Sequence, residues 1–333
     1  MTITQALKQS FTIDLMKGSQ SSLAAHPLLS IIDETCCFHT ERSLRLPLGI
    51  YNISVSRVCE KLTAFCTRLE KYICSSHSIK GNDGENELQR ELVDYIELAI
   101  YAAAEHVDDL EAIASGFFKD KKSFGKDASA RILMTDVKRF KAFISASANA
   151  IKHQQARIRI YSLEFSHVEI NSILHGYFIE GVEDGAVGPS IVFHKTQRVF
   201  SITTLAWEIL LFLLRCSESL HRFLLSVAKF IHGPASQTSN MVSKAVTSAA
   251  RLPLFTFDEE HPFSKATFVL TSDGSVDEEL DSNLYGSFSR RWSLSEEVRF
   301  GSSNAGFVGD GTTRSFTFPL PSRVNLQHWQ LRV

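Results

Sequence analysis

Apolar residues recur at three- and four-residue steps through much of the first 232 residues, with one interruption, and the chain then changes texture. After a loop around Pro47, Val55, Val58, Leu62, Phe65, Leu69 and Tyr72 form one stripe, which predicts a helix ending by residues 75–76. The loop SIKGNDGEN follows. A second helix is predicted over about 85–118, with Leu88, Leu92, Tyr95, Ala99, Ala102, His106, Leu110 and Ile113 on one face. A Lys-rich loop, 119–127, closes it. A third helix is predicted over about 128–155, with Leu133, Val137, Phe140, Ile144 and Ile151 inward. A fourth covers about 201–232, with Ser201 as N-cap, Phe200 as hydrophobic staple and GPASQTSN as the break.

Between the third and fourth helices the period shortens. RIRIYSLEF alternates as a strand does, and LHGYFIEGV and PSIVFHK read as two more strands around the loop EDGAVG. This predicts a β-meander inserted at about 157–196. Residues 250–333 consist of short aromatic or β-branched pieces, among them LPLFTFD, KATFVLTSDG, GSFSRRWSL and RSFTFPL, separated by Gly, Ser, Asp and Asn. No repeat of fixed period is present. The expected organisation is an N-terminal extension with a short helix (1–49), a helical bundle carrying the meander (50–232) and a β-rich C-terminal module (250–333). The expected fold class is mainly α with β additions (α+β), built on an antiparallel four-helix bundle, because short connections favour antiparallel neighbours.

Composition narrows the function classes. The 333 residues are 44% hydrophobic and 22% charged, enough apolar material for a core that needs neither disulfides nor metals. The formal charge of −2 provides no global field for nucleic acid, so any such contact needs a local patch. Two patches stand out: Lys119, Lys121, Lys122 and Lys126, and then Lys152, Arg157 and Arg159. Both are also readable as solvated faces. The start of the chain lacks the pattern of a signal peptide. The most apolar segment, TTLAWEILLFLLRCSESLHRFLL, is interrupted by Glu208 and Arg215 and reads as a core helix, so no membrane partner is expected. Six cysteines without framework spacing predict reduced thiols and a cytoplasmic location.

The stretch FISASANAIKHQQARIRIYS, 143–162, holds the strongest candidate chemistry. Asn149 and His153 are four residues apart, on one face of the predicted third helix. Lys152 adjoins them, and Arg157 joins the face if the helix runs one turn further. Arg139 lies fourteen residues before His153, about four turns along one continuous helix. A histidine titrates near neutrality and can move a proton, while a cation beside it can stabilise charge on a phosphate. These are the parts of a metal-independent RNA-cleaving site. The same residues also suit a helix C-terminus, where polar and cationic side chains satisfy the last carbonyls.

The string ANAIKH late in the third of several antiparallel helices resembles the HEPN (higher eukaryotes and prokaryotes nucleotide-binding) superfamily. The hallmark there is an Arg, a polar residue and then a His, late in a helix. Asn149 and His153 match the last two, and Ala148 stands where the Arg is expected. The resemblance implies a metal-independent endoribonuclease or RNA-binding effector, acting in bacterial anti-phage defence or a toxin–antitoxin system. His153 and Asn149 would be its catalytic residues, with Lys152, Arg157 or Arg139 as substrate-binding cations. It implies RNA and a second copy of the chain, or a partner protein, as partners. The alternative is a non-catalytic HEPN-like scaffold that dimerises and holds a protein partner, and the missing Arg favours it.

Other sets carry less. Cys36, Cys37 and His39 with Cys74 and His77 have no standard zinc spacing, so no metal is expected. The acidic cluster around His106 (AEHVDDLEA) reads as the solvated side of a helix with His106 at the core boundary. No nucleophile elbow, phosphate loop or dinucleotide fingerprint occurs, and GFVGDGTT (306–313) has no helix after it, so no cofactor is expected.

Overall fold

In the computed structural model the stripe of residues 55–72 lies within a first long helix, α2 (Pro47–Ser76). Proline at its first position sacrifices no hydrogen bond, because that N–H has no helical partner anyway. The residues described are 13–15, 23–76, 83–153, 156–167, 170–183, 186–190, 199–232, 240–257, 271–272, 275–276, 287–297, 303–305, 315–316 and 321–332. A short helix α1 (Ala25–Leu29) precedes α2, and α3 (Asp83–Ser115) follows it. Arg57 pairs with Glu105 at 2.5 Å and Arg68 with Glu91 at 3.0 Å, so α2 and α3 run antiparallel.

Then come α4 (Lys121–Lys126), α5 (Ala128–Phe140) and α6 (Ala142–His153). The Lys-rich segment is therefore partly helical. The third helix expected over 128–155 is two helices. The break falls at Lys141, whose amide closes α5 on the Val137 carbonyl at 2.9 Å while its own carbonyl accepts from Ser145 N–H at 2.8 Å. The most apolar segment forms α7 (Ile202–Val227), buried along most of its circumference as a central helix must be. Ser201 occupies the N-cap position, but its hydroxyl bonds Thr203 Oγ1 at 3.0 Å rather than a helical N–H. No helix among the described residues is long and apolar enough to cross a membrane. A final helix, α8 (Asn240–Ala250), packs on α2. The structure is thus mainly helical with added strands, an α+β protein.

The meander is present as β2 (Ile158–His167), β3 (Ile170–Glu183) and β4 (Ala186–Pro189), each antiparallel to the next. The third strand lies partly in the expected loop EDGAVG, and residues 191–195 of the expected strand PSIVFHK lie outside the described residues. Strand β5 (Phe200–Ser201) also pairs with β3. A second sheet is centred on β12 (Arg323–Arg332), which pairs antiparallel with β9 (Ser287–Glu297) and β6 (Phe255–Phe257) and parallel with β1 (Ile13–Leu15). Strands β7 (Thr271–Ser272) and β8 (Ser275–Val276) form a small hairpin. Finally β10 (Ser303–Ala305) and β11 (Ser315–Phe316) pair with β2 and β4, joining the C-terminal residues to the meander.

The β2–β3 hairpin is buried on both faces. Ile158, Ile160, Tyr177 and Ile179 join the helical core, while Tyr161, Leu163, Leu174 and Phe178 lie on the opposite face, where Tyr161 meets Phe257 of β6 edge-on at 5.9 Å between ring centres. Gly176 permits this closeness. A Cβ there would lie 2.7 Å from the Phe200 carbonyl oxygen and 2.9 Å from the Phe257 ring.

Candidate functional site

Helix α6 packs on α3, and Ile144, Ser147 and Ala148 of α6 are buried. Ala148 is only 3% exposed. A small residue there lets two helices approach, and an arginine side chain in its place would have to displace that packing. Asn149, next in sequence, points away and is exposed. Asn149 and His153 keep their i, i+4 relation, because α6 remains helical through His153; the side chain of His153 lies outside the described residues.

The candidate cations do not converge as one helix would bring them. Lys152 Nζ lies 4.5 Å from the centre of the Tyr101 ring of α3, a cation–π contact. The Tyr101 phenol is held above its ordinary range by burial and by the Glu97 carboxylate. Glu97 is itself raised by burial and by Asp94. Arg139 belongs to α5, before the break at Lys141, so the four-turn register with His153 does not hold. Its guanidinium stacks on Phe140 at 5.0 Å and stands 3.9 Å from Asp136. Arg157 lies beyond α6 and leads into β2, its carbonyl accepting the Glu180 N–H at 2.9 Å. Arg159 leaves the expected basic patch altogether: it is buried on the far face of the hairpin and ion-paired with Glu180.

Among the described residues no group of three or more His, Cys, Asp or Glu side chains could hold a metal ion. Cys36 Sγ accepts the Lys229 N–H at 3.5 Å, tying the loop after α1 to the end of α7. Burial, with Cys36 beside it, pushes the Cys37 thiol up to about 12, far from a reactive thiolate. Cys74 is exposed, and His77 lies outside the described residues.

The polar group that sequence reasoning underrated is internal. His106 is fully buried, and Glu105 beside it points outward to Arg57. His106 Nδ1 and Ser54 Oγ share a hydrogen bond of 2.7 Å between α3 and α2. The ring meets Phe212 of α7 edge-on at 6.0 Å, with the Tyr51 ring 6.3 Å away. Tyr51 donates its hydroxyl to Ser217 Oγ of α7 at 2.7 Å, and Ser217 Oγ also accepts the Ala25 N–H at 3.1 Å. His106 Nε2 has no partner among the described residues, and burial pushes the imidazole down to about 3, so it is neutral. A Ser–His pair is a nucleophile–base pair in kind, but this one is sealed from any substrate. Its signal was legible: Tyr51, Ser54 and Val58 share the inward stripe of α2, so a hydroxyl there must find a partner inside.

No family model, no curated protein and no solved structure matches the chain.

Proposed function

We propose that this chain is a non-catalytic interaction protein, a HEPN-like helical scaffold that self-associates and holds a partner protein. The observation carrying this reading is Ala148: the position that the resemblance gives to an arginine is a small residue buried in the hydrophobic core. The three cations offered in place of an arginine are engaged elsewhere or lie on other elements. Lys152 sits on Tyr101, Arg139 on Phe140 across the helix break, and Arg157 beyond the end of α6. A phosphate held near Asn149 would lack the guanidinium that the resemblance puts on the same helix, and with it that compensation of transition-state charge.

The test is incubation of a mixed RNA pool with the full chain in EDTA, wild type beside His153→Ala. Both are expected to leave the RNA intact, while sedimentation velocity at micromolar concentration shows a dimer. Cutting by wild type that vanishes in His153→Ala overturns the non-catalytic reading. A monomer at every concentration removes self-association from it. One observation favours the second reading, a metal-independent ribonuclease: Asn149 and Lys152 are both exposed near the end of α6, where a strand of RNA has access.

A further inference from the structure

Charge in this protein is segregated along α4 and α5. Residues 119–141 hold eight Lys or Arg and three Asp, a local balance of +5 in a chain of −2, so the remainder carries −7. The three carboxylates are all engaged in the fold. Asp120 caps α4, accepting the Ser123 N–H at 2.7 Å and its hydroxyl at 2.8 Å. Asp127 caps α5 through the Ala130 N–H at 2.8 Å. Asp136 accepts from Ser219 Oγ at 3.1 Å and from the Arg222 guanidinium at 3.4 Å, which clasps α5 to α7.

Seven of the eight cations face solvent. Lys119, Lys121, Lys122 and Lys126 are exposed around α4, and Arg131, Lys138 and Arg139 are exposed on α5. On a helical wheel Arg131, Thr135, Lys138 and Arg139 span an arc of ~100°, opposite the buried Ala130, Leu133 and Val137. Among the described residues Arg139 is the one cation of this segment in an ion pair, a loose one at 3.9 Å to Asp136, and its side chain is 71% exposed. At the seam with α7, the guanidiniums of Arg139 and Arg215 lie over the same Phe140 ring, at 5.0 and 5.5 Å from its centre.

We propose that this face, running from α4 along α5 to the Phe140 seam, binds the phosphate backbone of a nucleic acid. Cations without protein counter-charges hold mobile counterions, and their release on phosphate binding drives association. Guanidiniums match phosphate oxygens in a two-pronged geometry, and a guanidinium plane held on a ring offers a platform to an unstacked base. An anionic membrane fits less well. Docking helices insert a continuous apolar face, whereas here Ile132, 62% exposed, is the one large apolar side chain exposed on α4 or α5. This surface is separate from the Asn149–Lys152 row, and the proposal does not depend on the reading of that row.

The experiment uses the full chain and a fluorescein-labelled 20-nucleotide single-stranded RNA, read by anisotropy from 50 to 300 mM NaCl. Wild type is expected to bind with a steep salt dependence. Arg131→Glu/Lys138→Glu/Arg139→Glu is expected to weaken binding at least ~10-fold and to flatten the log–log salt slope by about 2. Arg131→Gln/Lys138→Gln, which leaves the Phe140 stack intact, is expected to give an intermediate loss. Lys71→Glu/Lys244→Glu, exposed cations on α2 and α8, is expected to change affinity less than ~2-fold. Each variant is first checked for the wild-type melting temperature. The proposal is overturned if wild type leaves the RNA unbound, if the α5 variants bind as wild type does, or if the α2/α8 control weakens binding as much. Binding to phosphatidylserine vesicles but not to RNA would also overturn it, in favour of a membrane surface.

Discussion

Helix α3 carries two polar neighbourhoods five residues apart. At Tyr101 it meets α6 near the surface, where Lys152 lies on the phenol ring; at His106 it meets α2 and α7 in the interior, where Ser54 holds the imidazole. The outer one has the residues a chemist looks for in a sequence: a cation, an amide and a histidine close together. The inner one is a single histidine on an apolar stripe. Yet Lys152 is exposed, so water competes for its contact with Tyr101 and that contact contributes little. The inner group lies in a low dielectric, where an unmade hydrogen bond costs several times what a made one contributes. Proximity in sequence makes a motif visible, and burial decides what it is worth.

The largest effect should come from the inner group. His106→Ala removes a buried ring and leaves the Ser54 hydroxyl without that partner, and is expected to cost about 3–4 kcal/mol in urea unfolding. The double variant Ser54→Ala/His106→Leu, which removes both polar ends and fills the space, is expected to recover much of that loss. A single variant costing under ~1 kcal/mol would mean that the interior is not sealed as described. The same pair sets a pH dependence. The unfolded imidazole titrates near 6.5 and the folded one near 3, so between these values the unfolded chain binds the extra proton. The stability from this residue is therefore complete above about pH 6.5 and falls as pH drops toward 3, by up to ~1.4 kcal/mol per unit. Between pH 7 and 5 wild type should lose more stability than the double variant. Equal losses would show that His106 is already protonated, or already solvated, in the fold.

Ser217→Ala is expected to cost less, about 2 kcal/mol. It withdraws the oxygen that accepts from both Tyr51 and the Ala25 N–H, and so loosens α1 and α2 from α7 together. A change within ~0.5 kcal/mol would indicate that another acceptor takes over and that the interior polar seam ends at Ser54.

The helical layout was legible where apolar residues repeat over many turns. The stripes of α2 and α3 lead straight to their packed faces, and α7 announces itself by being apolar nearly all round. Three features were hidden for physical reasons. The break at Lys141 has no proline or glycine, and the apolar spacing runs on through it. No local residue type signals it. Helix α8 buries Val242, Ala245, Val246 and Ala249, and a stripe half made of alanine is faint. Strand β12, RVNLQHWQLR, alternates weakly, because its pairing with β9, β6 and β1 comes from residues far away in sequence. The interior polar pair was missed for a related reason. A row from Arg139 to Arg157 requires one uninterrupted helix, whereas Ser54 and His106 are brought together by antiparallel packing across 52 residues.

The smallest effect bears most directly on function. A double-mutant cycle with Lys152→Met and Tyr101→Leu should give a coupling of about 0.5 kcal/mol, the size of an exposed cation–π contact. Because the phenol is held above its ordinary range, the ring stays uncharged at neutral pH, and the coupling should be flat from pH 6 to 8. A coupling of zero would mean that Lys152 is not held on Tyr101. Its ammonium would then be at liberty to swing toward Asn149 and meet an anion at the end of α6. In that case Lys152 would supply a cation beside Asn149, and the ribonuclease reading would gain support. A measurable coupling ties Lys152 to α3 and withholds it from Asn149, which removes one positive charge that phosphate chemistry there would use.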